Sequence, residues 1–194
     1  AGSDKEIRHV EFALADSGIE YEAGDALAVI PENDPPALVD AIVEHFRMSV
    51  GTLVDGEPLG KLLSQNYEIS APSKDLLGEV ESRADNEELS HVLRGGVKET
   101  LDRWLYGKDA LDILQIAGDD LSVEEFLGLL KPLQHRAYSI SSSPLAHPDQ
   151  IHLTVAAVRY QSNGRERGGV CSTFLADRGG VEAKIFLQPN KSFR

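Results

Sequence analysis

A single cysteine stands in 194 residues, so no intrachain disulfide can form and the small disulfide-stapled scaffolds of secreted proteins are excluded. The expectation is a reducing compartment, the cytoplasm. No apolar run approaches the roughly 20 residues of a membrane-spanning helix. No signal-peptide pattern precedes the first strand, and Ala1-Gly2-Ser3 reads as a vector-derived scar. Basic residues are scarce: 19 Lys and Arg stand against 32 Asp and Glu, and the net charge of −13 argues against a nucleic-acid partner. It does not exclude a phosphate-bearing ligand, because local guanidinium and N–H groups set the field of a pocket. The six histidines are scattered and lack a second cysteine, so nothing has the spacing of a metal site and none is expected. No Ser-His-Asp grouping is visible, and the serines sit in no nucleophile-elbow sequence. There are no internal repeats.

What is present is enough for a real core, with 41% hydrophobic residues in a length that suits one large domain or a domain plus an insertion. Lys5–Leu14 alternates Val10, Phe12 and Leu14 against Glu11 and Ala13, the pattern of a half-buried strand. Asp16-Ser17-Gly18 supplies a turn, Gly24-Asp25 a second turn or bulge, and Ala26–Ile30 a buried strand. From Asp34, which can cap with Pro35 in the first helical position, the period changes. Leu38, Val39, Ile42, Val43 and Phe46 make an apolar helical stripe. Ser73 caps a helix carrying Leu76, Leu77 and Val80. Asp85 with Glu88 is box-like, Gly107 stops a stripe of Leu101, Trp104 and Leu105, and Ser122 with Glu125 is a capping box. Strand periodicity returns in Ile151–Tyr160 and Ala183–Leu187. A helical segment of about a hundred residues is therefore inserted into a β-domain.

Two stretches carry chemistry. His135–Pro144 reads H-R-A-Y-S-I-S-S-S-P. On a strand Arg136, Tyr138 and Ile140 share one face, with Ala137, Ser139 and Ser141 on the other. Arg136 offers a planar fork for phosphate, Tyr138 a flat ring with a polar tip, and Ser139 a hydroxyl. That set suits a ligand with a phosphate at one end and a flat polar heterocycle at the other. A surface strand entering a serine-rich turn is the competing reading. Gly168–Arg178 reads G-G-V-C-S-T-F-L-A-D-R: two glycines open a short helix whose first N–H groups and positive dipole end attract phosphate. An ordinary Ser/Thr N-cap is the alternative there.

Together and in this order, R-x-Y-S followed by G-V-C-S resembles the FAD-binding domain of the ferredoxin–NADP reductase superfamily. Y-S-I-S-S-S-P, H-L-T-V-A-A-V-R-Y, G-G-V-C-S-T-F-L-A-D-R and Q-P-N-K-S-F-R are most similar to diflavin reductases of the sulfite, or bifunctional nitrate/sulfite, reductase flavoprotein type. The resemblance covers nearly the whole chain. It implies a β-rich α+β fold: an antiparallel Greek-key β-barrel built from residues 1–32 and 131–194, with an α-helical connecting subdomain, 33–130, inserted. It implies FAD as cofactor, with FMN and NADPH on further domains absent from this chain, and a haem or siroheme reductase as terminal partner. In such a parent, hydride passes from NADPH and electrons leave through FMN; the isolated domain is expected to be inactive with NADPH.

By the same resemblance Arg136 meets the FAD diphosphate, Tyr138 packs on the isoalloxazine, and Ser139, beside Ala137 on the same strand, approaches flavin N5 as the catalytic hydroxyl. Thr154, Val155 and Ala156 offer backbone hydrogen bonds to the pyrimidine end, Tyr160 stacks near the adenine half, and Gly169, Val170, Cys171 and Ser172 seat the diphosphate. Tyr67-Glu68-Ile69-Ser70 matches an aromatic-acid-aliphatic-Thr stretch, so Ser70 is a further cofactor contact. Trp104 belongs to the core, and Tyr106, next to Gly107, has a better claim to the cofactor than Trp104. Cys171 is structural, since the cysteine that assists hydride transfer in these reductases lies in the NADP domain. Because Tyr138 and Ser139 alternate yet must reach one ring, a bend or bulge is expected there, or a Ser139 contact that is partly backbone. A single-flavin ferredoxin-type reductase and a cofactor-less β-barrel interaction module are the rival readings. The helical insertion speaks against the first, and retention of Arg136 and Tyr138 against the second.

Overall fold

In the computed structural model, which describes residues 4–15, 17–33, 35–178 and 182–193, the first strand β1 is Glu6–Ala13. Val10 and Phe12 pack on the core while the residues between them face outward, as a period of two requires. The expectations placed on Ala1–Ser3, on Asp16 and on the capping side chain of Asp34 lie outside the described residues. A turn through Gly24, held at φ +97°, leads into β2, Ala26–Ile30, whose Leu27, Ala28 and Val29 are fully buried. The unreadable half of that turn is Asp25. Its carboxylate is fully buried and accepts from the Glu22 N–H (3.0 Å) and the Asn190 N–H (3.0 Å), stitching the turn to the C-terminal segment.

The described residues separate into two compact units: Ala1–Glu32, Gln134–Tyr160 and Glu166–Arg194 form one, and Asn33–Leu133 with Gln161–Arg165 the other. In the second, a π-helical segment Pro35–Val39 runs into α1, Asp40–His45. The short strands β3, Leu53–Val54, and β4, Glu57–Pro58, pair before α2, Leu59–Gln65, and β5 is Tyr67–Glu68. Next come α3 (Lys74–Arg83), α4 (Glu87–Arg94), α5 (Lys98–Leu105), α6 (Ala110–Ala117) and α7 (Val123–Leu129). Strand β6, Lys131–Pro132, then closes back on β5.

Local capping explains most helix starts. Ser73 accepts from the Leu76 N–H (2.9 Å), and Ser122 and Glu125 form the reciprocal box expected of them. The cap of α4 is Asn86, accepting from Leu89 N–H (2.8 Å), and not Asp85. A third box, Asp109 with Asp112, starts α6. That helix buries Ala110, Leu111, Ile113, Leu114 and Ala117 along one broad face in the core of this unit. Gly107, at φ +73°, follows the end of α5 as the sequence predicts. Trp104 packs against the same core with Lys108 over its ring, whereas Tyr106 is largely exposed.

The first unit continues with β7 (Arg136–Ser139), β8 (Gln150–Ala157), α8 (Val170–Asp177) and β11 (Lys184–Gln188); β9 (Arg159–Ser162) and β10 (Arg165–Gly168), which pair with each other, belong to it only in part, Gln161–Arg165 falling in the second unit. β1 pairs antiparallel with β8 along all eight residues, from Glu6 opposite Ala157 to Ala13 opposite Gln150. The other sheet has the order β11-β2-β7, also antiparallel. Leu14, Tyr21, Leu27, Val29, Ile151, Leu153, Val155, Cys171, Phe174 and Leu175 form the core beneath them. The fold is thus mixed α and β with several antiparallel sheets. Among the described residues these pairings do not run on into a closed barrel, although an antiparallel bridge, Ile140 to Leu153, links the two sheets.

Candidate functional site

β7 pairs one-to-one with β2: Arg136 opposite Val29, Ala137 opposite Ala28, Tyr138 opposite Leu27 and Ser139 opposite Ala26. The bulge expected between Tyr138 and Ser139 is therefore absent. The strand turns one residue later, where Ile140 N–H bonds the Asp25 carbonyl (3.0 Å) and Ile140 bridges to Leu153. Regular pleating holds Arg136 and Tyr138 half-buried on one face and leaves Ala137 and Ser139 exposed on the other.

The serine run after Tyr138 divides by role. Ser141 donates its N–H (2.9 Å) and its hydroxyl (3.0 Å) to the His152 carbonyl. Ser142 Oγ accepts from the His152 N–H (3.0 Å) and meets the buried Tyr21 hydroxyl at 2.7 Å. These two serines clasp the loop to β8, and Ser139 stays on the open face.

Tyr138 reaches across to α8. Its phenol, the Cys171 thiol and the Arg136 guanidinium are near enough to act electrostatically on one another. Burial pushes both pKa values up, Tyr138 by desolvation with the thiol adding to it, and Cys171 by desolvation that its phenol partner partly offsets. A buried thiol held in its protonated form is a packing group, not a nucleophile. The strand stretch and the helix stretch, separated by some thirty residues, thus share one locality. The Arg136 guanidinium meanwhile donates to the Gln134 carbonyl at 2.8 Å, which holds it along its own strand.

The start of α8 has no side-chain cap. Its first intrahelical bond is Thr173 N–H to the Gly169 carbonyl (2.9 Å), so the N–H groups of Val170, Cys171 and Ser172 precede the ladder and point out of its end. The Ser172 hydroxyl is spent elsewhere: it donates to the Gly169 carbonyl (3.1 Å) and accepts from Val158 N–H (3.1 Å), tying the helix start to the end of β8. Any contact from Ser172 to a ligand is therefore through its backbone. The two glycines let neighbouring side chains approach closely. A Cβ on Gly168 would fall 2.7 Å from Thr173 Cγ2, and one on Gly169 would fall 2.7 Å from Ser172 Oγ. Arg167, two residues before Gly169, is a cation that sequence reasoning missed; burial lowers its pKa from the ordinary arginine value. A basic residue directly preceding Gly-Gly was the available signal.

On β8 the backbone direction sorts the three expected donors. The His152 carbonyl faces the β7 side, since it accepts from Ser141. Backbone polar groups in an antiparallel strand alternate edges, so those of Thr154 and Ala156 face the same side. Those of Val155 face β1, where Val155 stands opposite Arg8, and its side chain lies in the core. Tyr160 lies exposed on β9. Ser70 belongs to the helical unit, where its hydroxyl donates to the Glu68 carboxylate and its N–H does so at 3.1 Å.

The donor set fits a flat, diphosphate-bearing group: an uncapped helix start with glycine at its entry, the Arg136 guanidinium, an aromatic ring and a strand edge. Two cavities lie elsewhere. One of about 280 Å³ lies beside His45 and Asp119, and one of about 430 Å³ beside Ala13 and His147.

Comparison with known proteins is consistent with that set. A family described as "FAD binding domain" matches residues 1–61 and 57–174. The sulfite reductase [NADPH] flavoprotein alpha-component of Bacillus subtilis is 40% identical over 202 residues, covering 100% of this chain and 33% of that protein. The proteins of the same name from Serratia proteamaculans and Zymomonas mobilis are 36% and 35% identical, each over 198 residues and 99% of this chain. The chain spans about a third of the length of these relatives.

Proposed function

We propose a function from one premise, which the family match and the relatives establish: this chain belongs to the family of FAD-binding domains. FAD is its cofactor, and the role we assign is to hold FAD inside a longer NADPH-dependent reductase of the sulfite reductase flavoprotein kind. The convergence of Arg136, Tyr138 and Cys171 carries the reading. Arg136 and the backbone N–H groups of Val170, Cys171 and Ser172 take the diphosphate, with Arg167 as a second cation; Gly169, whose own N–H is donated to the Val158 carbonyl, lets the backbone approach it. Tyr138 excludes water from one side of the ring system, Ser139 Oγ holds or releases a proton beside it, and the edge of β8 at Thr154 and Ala156 takes the heterocycle's polar end. Tyr160 flanks the adenine portion. FAD, when bound, supplies exchange of electrons in pairs or singly.

In the longer protein, NADPH is the electron donor, an FMN domain the relay, and a sulfite or nitrate reductase haemoprotein the acceptor; that protein works in the cytoplasm. The piece described here does not turn over NADPH by itself. The domain division is residues 1–32 and 131–194 for the FAD-binding part, with 33–130 inserted. The two sheets of the first unit are arcs of one Greek-key barrel, a reading supported by the Ile140–Leu153 bridge between them.

Titration of the purified chain with FAD, followed by flavin fluorescence, tests the reading. A saturable change at one equivalent is expected. Arg136→Ala should weaken binding about 10- to 100-fold, since a charge-assisted hydrogen bond is worth about 1.5–3 kcal/mol. No fluorescence change at any FAD concentration, or unchanged affinity in the variant, would overturn it.

A further inference from the structure

Three of the six histidines, dispersed in sequence, converge on the outer face of the β1–β8 pair. Glu11 stands directly opposite His152 in the register, and His9 precedes Glu11 by one strand period, so all three side chains share a face. His9 Nε2 lies 3.3 Å from Glu11 Oε1. One ligand-type atom from each of His9, Glu11 and His152 falls within 4.8 Å of the others. The rings of His9 and His152 meet edge-on at 4.9 Å between centroids, and His147 lies against His152 at 4.2 Å.

We propose that His9, Glu11 and His152 form a binding site for a divalent transition metal of the zinc class, joining β1 to β8. The inference is independent of FAD binding. Two imidazoles and a carboxylate are a nitrogen-and-oxygen donor set that suits Zn²⁺ and its neighbours better than Mg²⁺ or Ca²⁺, which prefer oxygen alone. With metal–ligand bonds of about 2.0–2.1 Å, the edge of a tetrahedral site is roughly 3.3 Å. The His9–Glu11 separation already matches that edge, and the remaining gap closes by side-chain rotation. The scaffold is rigid where it matters. His152 is buried, its backbone N–H is fixed by Ser142, and its Nε2 is 3.2 Å from Gln150 Oε1. His9 and Glu11 are about half exposed, which leaves the entry open. The fourth position is left to water or, after movement of the loop before β8, to His147, whose ring lies against His152.

The test uses the untagged chain, freed of chelator and phosphate, with Zn²⁺ titrated by calorimetry and Co²⁺ as an absorption probe. One equivalent should bind, with ligand-field bands of four- or five-coordinate cobalt. Saturating Zn²⁺, at about 100 times the dissociation constant, should raise Tm by roughly 5–10 °C. His9→Gln and Glu11→Gln should each weaken Zn²⁺ binding at least about tenfold, because each removes one of three protein ligands. Both positions are exposed, so neither change threatens folding, and unchanged FAD binding checks that. His91→Gln, on the exposed side of α4, should bind Zn²⁺ as the parent chain does. Absence of saturable binding, retention of full affinity in either of the first two variants, or equal loss in His91→Gln would each overturn the site.

Discussion

The helix start that faces the proposed diphosphate depends on glycine at 169, and Gly169→Ala measures how much. The backbone there is ordinary, at φ −72°, so the substitution costs nothing in conformation. The cost is steric. The new Cβ would lie 2.7 Å from Ser172 Oγ and 3.2 Å from Val158 Cβ. Ser172 must rotate away, which breaks its bond to Val158 N–H (3.1 Å). Stranding a partly buried amide costs about 1–2 kcal/mol. Easing the Val158 contact adds about 1 kcal/mol of overpacking strain. The sum, about 2–3 kcal/mol, corresponds to a drop in Tm of about 4–12 °C for a chain of this size. Ser172→Ala alone should cost about 1–2 kcal/mol by losing the same bond. In the double variant the clash with Oγ no longer exists and the bond is lost only once, so the two effects should fall short of additive by about 1–2 kcal/mol. Urea denaturation of the four proteins closes the cycle, and FAD titration of each should show the affinity loss following Gly169→Ala. Wild-type stability in Gly169→Ala, or strict additivity, would refute the claim that the helix start is held by this close approach.

Two further outcomes follow from the electrostatics. Because burial raises the Cys171 and Tyr138 pKa values, the folded chain keeps protons that the unfolded chain has already released, so stability should fall as pH rises above about 8.5, the ordinary thiol value, and more steeply above about 10. Denaturation midpoints flat from pH 8 to 10.5 would refute this. In the helical unit, Arg165 bonds the mostly buried carboxylates of Asp109 (3.1 Å) and Asp112 (2.5 Å), which cap α6. Arg165→Gln should lower stability by about 1–3 kcal/mol, the cost of breaking a buried pair reduced for the partial exposure of the guanidinium. A change within 0.5 kcal/mol by urea denaturation would show that solvent carries those charges.

Where a local rule governs, the amino-acid sequence was enough. The strand at Ala26–Ile30, the Ser73 and Ser122 caps and the stop at Gly107 depend on residues within a few positions of one another, so propensity and capping chemistry decide them. Asp109 with Asp112 was missed although equally local, because neighbouring apolar stripes masked its start. The family and FAD were legible too, since R-x-Y-S and G-V-C-S are carried by residue identity and order. Asp25 escaped because nothing near it announces that a carboxylate in a turn will be buried under a distant Asn190. Of the alternatives expected at Tyr138 and Ser139, the bulge is not the one formed, because alternation within one strand ignores where that strand changes partner.

The sequence by itself determined the alternation, the caps and the chemical inventory, because each is a property of neighbours along the chain. Tertiary structure alone decided which edge of β8 each peptide group faces, that Ser172 spends its hydroxyl on Val158, and that Tyr138 meets Cys171. It also drew His9, Glu11 and His152 together, against the expectation that scattered histidines form no metal site. All of these depend on strand register and helix docking, which bring together groups up to about 150 residues apart, and no pattern confined to a short window encodes such a pairing.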